Sequence, residues 1–247
     1  MICFSETRLQ ARDDIRDGGH RLISSNDQNA RSSATGVAIL LHRRWVDQVK
    51  KKICLHDRVM AIDLKLPHRM VRVLAVYLPN AWNYDLNYFQ EIFMDIERLS
   101  MEGMDKGYAL IIAGDFNLSL ERGDRGAIMA EFCEQFSMNI ANDQDSAEAW
   151  TFKSSIGGFY RLDYILHTKN LRSFDVSANY DLDLGSDHRN VSASLEFIRS
   201  QESWKKRQTS FKGWKPKFNA SREPQEYHQH LQQKIDESMP STLHELG

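Results

Sequence analysis

The chain has 247 residues, 41% of them hydrophobic, and a formal net charge of −2 from 32 Lys and Arg against 34 Asp and Glu. That length and mixture fit one large globular domain with an appendage, and they exclude a fibrous or low-complexity chain. Near-neutrality gives no global attraction to nucleic acid, although a local basic patch would be enough to steer one.

Cys3, Cys54 and Cys133 show no CxxC spacing, which argues against a disulfide framework or a zinc site and fits a reducing compartment. No apolar run approaches the roughly 18–20 residues of a membrane span. Acids and arginines follow Phe4 at once, unlike a signal peptide.

Met1–Ser5 (MICFS) predicts a strand that ends at Glu6. Arg8 to Ser33 is polar, contains Gly18 and Gly19, and reads as a long loop or short helix. Gly36–His42 (GVAILLH) predicts a buried strand. Val59–Leu66 and Met70–Leu78 flank Pro67-His68 and predict a hairpin. The second strand runs into Tyr77-Leu78-Pro79-Asn80, which sets Tyr77 at a strand end beside a loop.

From Asn83 to about Glu102, Leu86, Phe89, Phe93, Ile96 and Leu99 recur every three or four residues. This predicts an amphipathic helix, capped by Asn83 or Asp85 and ended by Gly103. Tyr108–Gly114 predicts a central strand. Arg125–Met138 predicts a second helix with Ile128, Phe132 and Phe136 inward. Trp150-Thr151-Phe152 reads as a short strand and Gly157-Gly158 as a turn. Leu162–His167 and Phe174–Asn179 read as strands, and Gly185–His188 as a loop feeding a last strand, Asn190–Phe197.

Hairpin-paired strands interspersed with two helices predict an α+β sandwich of two sheets with helices outside. The composition shifts near Arg199, which divides the chain into a domain over 1–198 and a connector and tail, partly disordered, over 199–247. Basic residues dominate 199–217, with Trp204, Phe211 and Trp214 among them. Such a stretch either tracks a nucleic-acid backbone while stacking bases or is a solvated linker. Glu223–Ser238 carries a weak helical pattern.

The stretch Tyr108–Leu118 (YALIIAGDFNL) organises the chemistry. A short apolar run bounded by turn signals reads as a buried, parallel strand, and sites form outside the ends of such strands. Asp115 and Asn117 stand there, and their alternation points them to one side. An acid that moves a proton beside an amide that donates suits attack at a phosphoryl or carbonyl centre. Glu6, Tyr77, Asp163 and the pair Asp187-His188 also fall at predicted strand ends. Carboxylates that converge repel one another unless a cation lies between them. Oxygen donors without Cys or several His suit Mg²⁺ or Mn²⁺ rather than zinc.

In chain order, SETRL around Glu6, VYLPNAW around Tyr77, IIAGDFNL around Asp115 and Asn117, WTF at Trp150–Phe152, RLDYIL around Asp163 and GSDHRNV around Asp187 resemble the endonuclease/exonuclease/phosphatase superfamily. The chain looks most like the apurinic/apyrimidinic-type endonuclease domain of LINE-type non-LTR retrotransposons, the RTE-like group especially. FKGWKP followed by EPQEYH resembles the connector from that nuclease to a reverse transcriptase.

The resemblance implies a four-layer α/β sandwich, hydrolysis of phosphodiesters with Mg²⁺ or Mn²⁺, and DNA as substrate. It also implies a reverse-transcriptase domain as partner in the parent element, no membrane, and a nuclear location. Carried over by residue, Glu6 is a metal ligand, with Asp187 at the same or an alternate metal position. Asp115 orients or deprotonates the attacking water, and Asn117 donates to the transition state or holds that water. His188 contacts a phosphate oxygen, with Asp163 fixing its tautomer. Either Asp115 or His188 serves as the base. Tyr77 contacts the phosphate or the leaving oxygen, and Asn80 and Trp150 lie along the DNA.

The superfamily begins with a further strand carrying a metal-fixing Asn. The resemblance therefore also implies an N-terminally truncated domain with an unpaired strand edge and weakened activity. Two other readings stay open. One is an inositol-phosphate-type phosphomonoesterase, which shares the SDHR block, although RLDYIL lacks the Trp-Cys pair usual there. The other is an inactive remnant that binds nucleic acid through 199–217.

Overall fold

In a computed structural model, the apolar runs of the sequence become strands of stacked sheets. The structure describes residues 1–9, 14–25, 35–120, 122–143, 150–179 and 186–198. All fall in the first of the two units into which the chain divides, Met1–Arg199. The basic-aromatic stretch 199–217 and the helical pattern at 223–238 lie outside the described residues.

In chain order the elements are β1 (Ile2–Ser5), β2 (Asp14–Asp17), β3 (His20–Ser25), β4 (Val37–Leu41), the single turn α1 (Arg43–Val46), β5 (Val49–His56), β6 (Val59–Leu66) and β7 (Arg69–Tyr77). Next come α2 (Leu86–Asp105), β8 (Ala109–Asp115), α3 (Gly123–Gln135), β9 (Met138–Ile140), β10 (Phe152–Lys153), β11 (Phe159–Tyr160), β12 (Asp163–Thr168), β13 (Leu171–Asn179) and β14 (Asn190–Phe197).

Six strands form the larger sheet in the order β5-β6-β7-β8-β12-β9, and four form a second in the order β1-β4-β3-β2. Two further pairs, β10-β11 and β13-β14, complete the strands, and β14 lies against β12. This is the mixed α+β arrangement expected from the sequence.

Strand alternation splits the six-stranded sheet into two apolar faces. Leu74, Val76, Leu110, Ile112, Tyr164 and Leu166 pack against Phe89, Phe93 and Ile96 of α2 and Met129 and Phe132 of α3. On the other face Met60, Ile62, Val73, Ala75 and Ala109 meet Ile23, Val37, Ile39 and Leu41 of the four-stranded sheet. Among the described residues, no helix is long and apolar enough to cross a membrane.

Several expectations need correcting. The segment read as a loop or short helix contains the hairpin β2–β3, with Gly18-Gly19 at its turn. β2 is fully exposed and pairs at the sheet's edge, so it carries no apolar alternation to read. β5 was not anticipated, because Lys50, Lys51 and Lys52 interrupt it. Lysines on an edge strand discourage pairing with other chains. The central strand β8 is parallel to β7 but antiparallel to β12, so it is only half of a parallel pair.

Asp85 caps α2 by accepting from the Tyr88 N–H at 2.8 Å. Gly103 does not end the helix; it lies within it, where a Cβ would come 2.7 Å from Leu110. The glycine is there for close approach of helix to sheet. Gly114 is tighter still. Its φ is +147°, and a Cβ would stand 1.9 Å from the Val76 carbonyl oxygen of the neighbouring strand.

Candidate active site

Register builds the site. Tyr77 at the end of β7 pairs with Asp115 at the end of β8, and Asp115 pairs with Asp163 at the start of β12. Directly paired residues share a face, so a phenol and two carboxylates stand in one row across three adjacent strands. The row lies on the face turned toward the four-stranded sheet.

From that second sheet, Glu6 follows β1 and accepts a hydrogen bond from Tyr77 Oη at 3.2 Å. Its side chain is 42% exposed, and Arg8 Nη2 lies 3.7 Å from it. His188 reaches the row from the loop before β14, with Nδ1 2.8 Å from Asp163 Oδ2. Thr151 fixes the approach to Asp163: its hydroxyl accepts from the backbone N–H of Leu162 and of Asp163, both at 3.0 Å.

Asp115 and Asn117 do meet, by a different route from strand alternation. Asn117 lies beyond the strand with φ +49°, a left-handed turn that Asn tolerates. Its backbone N–H donates to Asp115 Oδ1 at 2.9 Å. Its Nδ2 donates to Asp115 Oδ2 and to the Leu78 carbonyl, each at 2.9 Å.

Asp187 is exposed, and its backbone carbonyl accepts from Lys153 N–H at 3.1 Å. Asn80 Oδ1 accepts from Asn83 N–H at 2.9 Å and shapes the β7–α2 loop. Trp150 packs on Phe159 with ring centres 4.6 Å apart, under the Arg189 guanidinium at 3.4 Å. The structure therefore brings Glu6, Tyr77, Asp115, Asn117, Asp163 and His188 together. It sets Asp187 beside His188 and leaves Asn80 and Trp150 on flanking loops. Thr151 and Arg58, the latter stacked on the Tyr77 ring at 5.0 Å, were not singled out from the sequence. Both are polar groups adjoining apolar strands, which is the signal that was available.

The electrostatics are one-sided. Asp115 is only 5% exposed. Its carboxyl is pushed well above the usual range by burial and then by Asp163, with Glu6 adding to both. His188 and the Asn117 N–H oppose the rise. Burial works against the His188 cation, yet the hydrogen bond and charge of Asp163, with Asp115 and Asp187 beyond, hold it up to about 9. The Tyr77 hydroxyl is raised above its ordinary value by burial and then by Glu6 and Asp115.

Asp115, Asp163 and His188 offer ligand atoms within 4.8 Å of one another, and they are the only such group of three among the described residues. The donors are carboxylate oxygens with one imidazole already tied to Asp163, and their negative charge is in excess. That set fits a hard divalent cation.

An acid–imidazole cluster at the ends of the central strands of an α+β sandwich is an arrangement suited to hydrolysis. The model of the Endonuclease/Exonuclease/phosphatase family matches residues 1–188, and the chain belongs to that family. Its members are hydrolytic, divalent-metal-dependent nucleases and phosphatases.

Among solved structures, the catalytic domain of APE2 from Xenopus laevis superposes with a TM-score of 0.61 at 18% identity, covering 81% of this chain and 85% of that one. The 3′ phosphatase NExo from Neisseria, bound to a product DNA hairpin, gives 0.51 at 19% identity, covering 72% and 80%. The endonuclease domain of TRAS1, a telomere-specific non-LTR retrotransposon, gives 0.51 at 18% identity, covering 74% and 82%. At such identities the likeness is one of fold. No curated protein matches the sequence.

Proposed function

We propose that the chain is a divalent-metal-dependent DNA endonuclease of the non-LTR retrotransposon type, working beside a reverse transcriptase in its parent element. The observation that carries this reading is the row Tyr77–Asp115–Asp163 with His188 at its end, which offers a base, a donor and a cation to one phosphate. The TRAS1 likeness and the FKGWKP and EPQEYH motifs support the retrotransposon assignment, and the DNA-bound NExo supports the substrate class.

In this reading Asp115, its carboxyl raised above the usual carboxylate range by burial and Asp163 and held by Asn117, takes a proton from the attacking water. The water oxygen bonds to phosphorus as the bond to the leaving 3′ oxygen breaks. The His188 imidazolium donates to a non-bridging oxygen, and Asp163 keeps its ring aligned. Tyr77 Oη donates toward the phosphate. Glu6, with Asp187 and the carboxylate oxygens of the row, would hold a cation of the Mg²⁺ or Mn²⁺ kind, which when bound would offset the phosphate charge and stabilise the leaving oxygen. A positioned base contributes about 10²–10⁴-fold, so Asp115 governs turnover more than binding.

The test is Mg²⁺-dependent nicking of supercoiled plasmid, with Asp115→Ala as control and phosphate release from small monoesters measured alongside. Nicking that disappears with the carboxylate supports the reading. Nicking that survives Asp115→Ala, or a folded protein that only releases phosphate from monoesters, overturns it.

A further inference from the structure

Arg58 is 2% exposed, yet no carboxylate among the described residues lies within ion-pairing distance of it. It stands in the turn between β5 and β6, where its carbonyl accepts from the Tyr77 N–H at 2.9 Å. Its Nη1 donates to the Tyr77 carbonyl at 3.3 Å, and its Nε has no partner. Three rings surround the guanidinium, with centres 5.0 Å (Tyr77), 4.8 Å (Tyr84) and 5.8 Å (Tyr88) away. Tyr84 also lines a groove of about 680 Å³ that runs past Asn117.

A buried guanidinium ordinarily meets a carboxylate, because an uncompensated charge in the interior is costly. Among the described residues, three aromatic faces and one carbonyl hold it instead, directly behind the one phenol of the row. A cation against a phenol's face also draws density from the ring and makes the O–H a better donor.

We propose that Arg58 is the positioning residue of Tyr77: it clamps the ring so that Oη faces the substrate phosphate. The inference rests on the phosphodiesterase reading above. Arg58 touches neither the phosphate nor the cation; its effect passes through Tyr77.

The experiment compares Arg58→Met and Arg58→Lys, each alone and combined with Tyr77→Phe, by steady-state nicking of plasmid. Substrate-free protein is followed in parallel through the aromatic ¹H–¹³C resonances of Tyr77, assigned by their loss in Tyr77→Phe. The expected result is a fall in kcat of about 10-fold or more in Arg58→Met with KM within about twofold. Arg58→Lys should retain more activity, and Arg58→Met should add less than about twofold to the loss in Tyr77→Phe. The Tyr77 resonances should move in Arg58→Met. Losses that multiply in the double variant, or an unchanged kcat, overturn the inference.

If the wild-type protein does not nick DNA, the functional reading fails on its own account. The resonances then still decide the clamp: displaced signals support it and unmoved signals overturn it. Should Arg58→Met not fold, Arg58→Lys takes its place in both measurements, with the same expected directions.

Discussion

The six-stranded sheet carries a buried ionic group on each of its two faces, and they are built on opposite plans. On the helix side, Arg72 of β7 is fully buried and meets Asp63 of β6 in a two-pronged pair at 2.7 and 2.9 Å. It also donates to the Leu99 carbonyl at 2.9 Å and lies 3.3 Å from Glu102 of α2. Glu102, though partly buried, is held down to about 2 by Lys106, Arg72 and Lys51.

On the face toward the other sheet, Asp115 and Asp163 have one imidazole between them, and the Asp115 carboxyl is pushed up rather than down. The first group lies in mid-strand with its hydrogen bonds complete, as a structural pair should. The second lies at strand ends with charge left over, which is where perturbed groups mark chemistry. Burial alone does not separate them; the balance of charge does.

The comparison breaks most decisively at Asp115. Replacing it by Asn should lower Mg²⁺-dependent nicking about 10³-fold, within the range of a lost base, while the melting temperature stays level or rises because an uncompensated buried acid is gone. A variant that loses activity by unfolding would place Asp115 with Asp63 as a structural acid.

Arg72→Met is the reverse case. It leaves Asp63 buried and unpaired, so urea denaturation should show a loss of about 3–5 kcal/mol with nicking per folded molecule unchanged. Adding Asp63→Leu should recover most of that loss.

Asp163→Asn tests the coupling inside the row. In metal-free protein, the NMR titration midpoint of His188 should fall from about 9 toward its ordinary 6.5, and nicking should drop about 10–10²-fold. Because the folded value is the higher one, the stability that the pair contributes is complete below pH 6.5 and is lost as pH rises through about 9. The variant should lack that alkaline decline.

The smallest effect sharpens the contrast from outside both groups. Burial and then Glu131 push Glu97, on α2, up to about 7. The fold therefore binds an extra proton between about 4.5 and 7, and stability falls as pH rises across that window. Glu97→Gln should raise the melting temperature by about 2–4 °C at pH 8, the shift that ~1 kcal/mol produces in a chain of this size. It should do nothing near pH 4 and leave nicking alone.

The sequence disclosed those parts whose physics is local. Apolar runs around Pro67-His68 and the GDFN turn gave β6, β7 and β8, and with them the strand ends that hold Tyr77 and Asp115. The row itself needed register across β7, β8 and β12, which no single window contains. The β2–β3 hairpin was hidden because an exposed strand such as Asp14–Asp17 has no buried face to alternate.

The Arg72–Asp63 pair was legible in principle. The two residues sit equally far from the Pro67-His68 turn, so the hairpin sets them opposite each other. A lone charge in an apolar run is a prompt to look for its cross-strand partner. Arg58 offered no such partner, since its companions are aromatic rings brought in by the β7–α2 loop and α2.

Gly114 has a consequence for heredity. A side chain there has no room beside the Val76 carbonyl, one residue before Tyr77 on one strand and Asp115 on the other. A single nucleotide change in codon 114 would push the row out of line with every acid, amide and imidazole of it still encoded. An inventory that counts only intact Asp115, Asn117, Asp163 and His188 would score such a gene as sound, so the glycine belongs on the same checklist as the residues it holds in line.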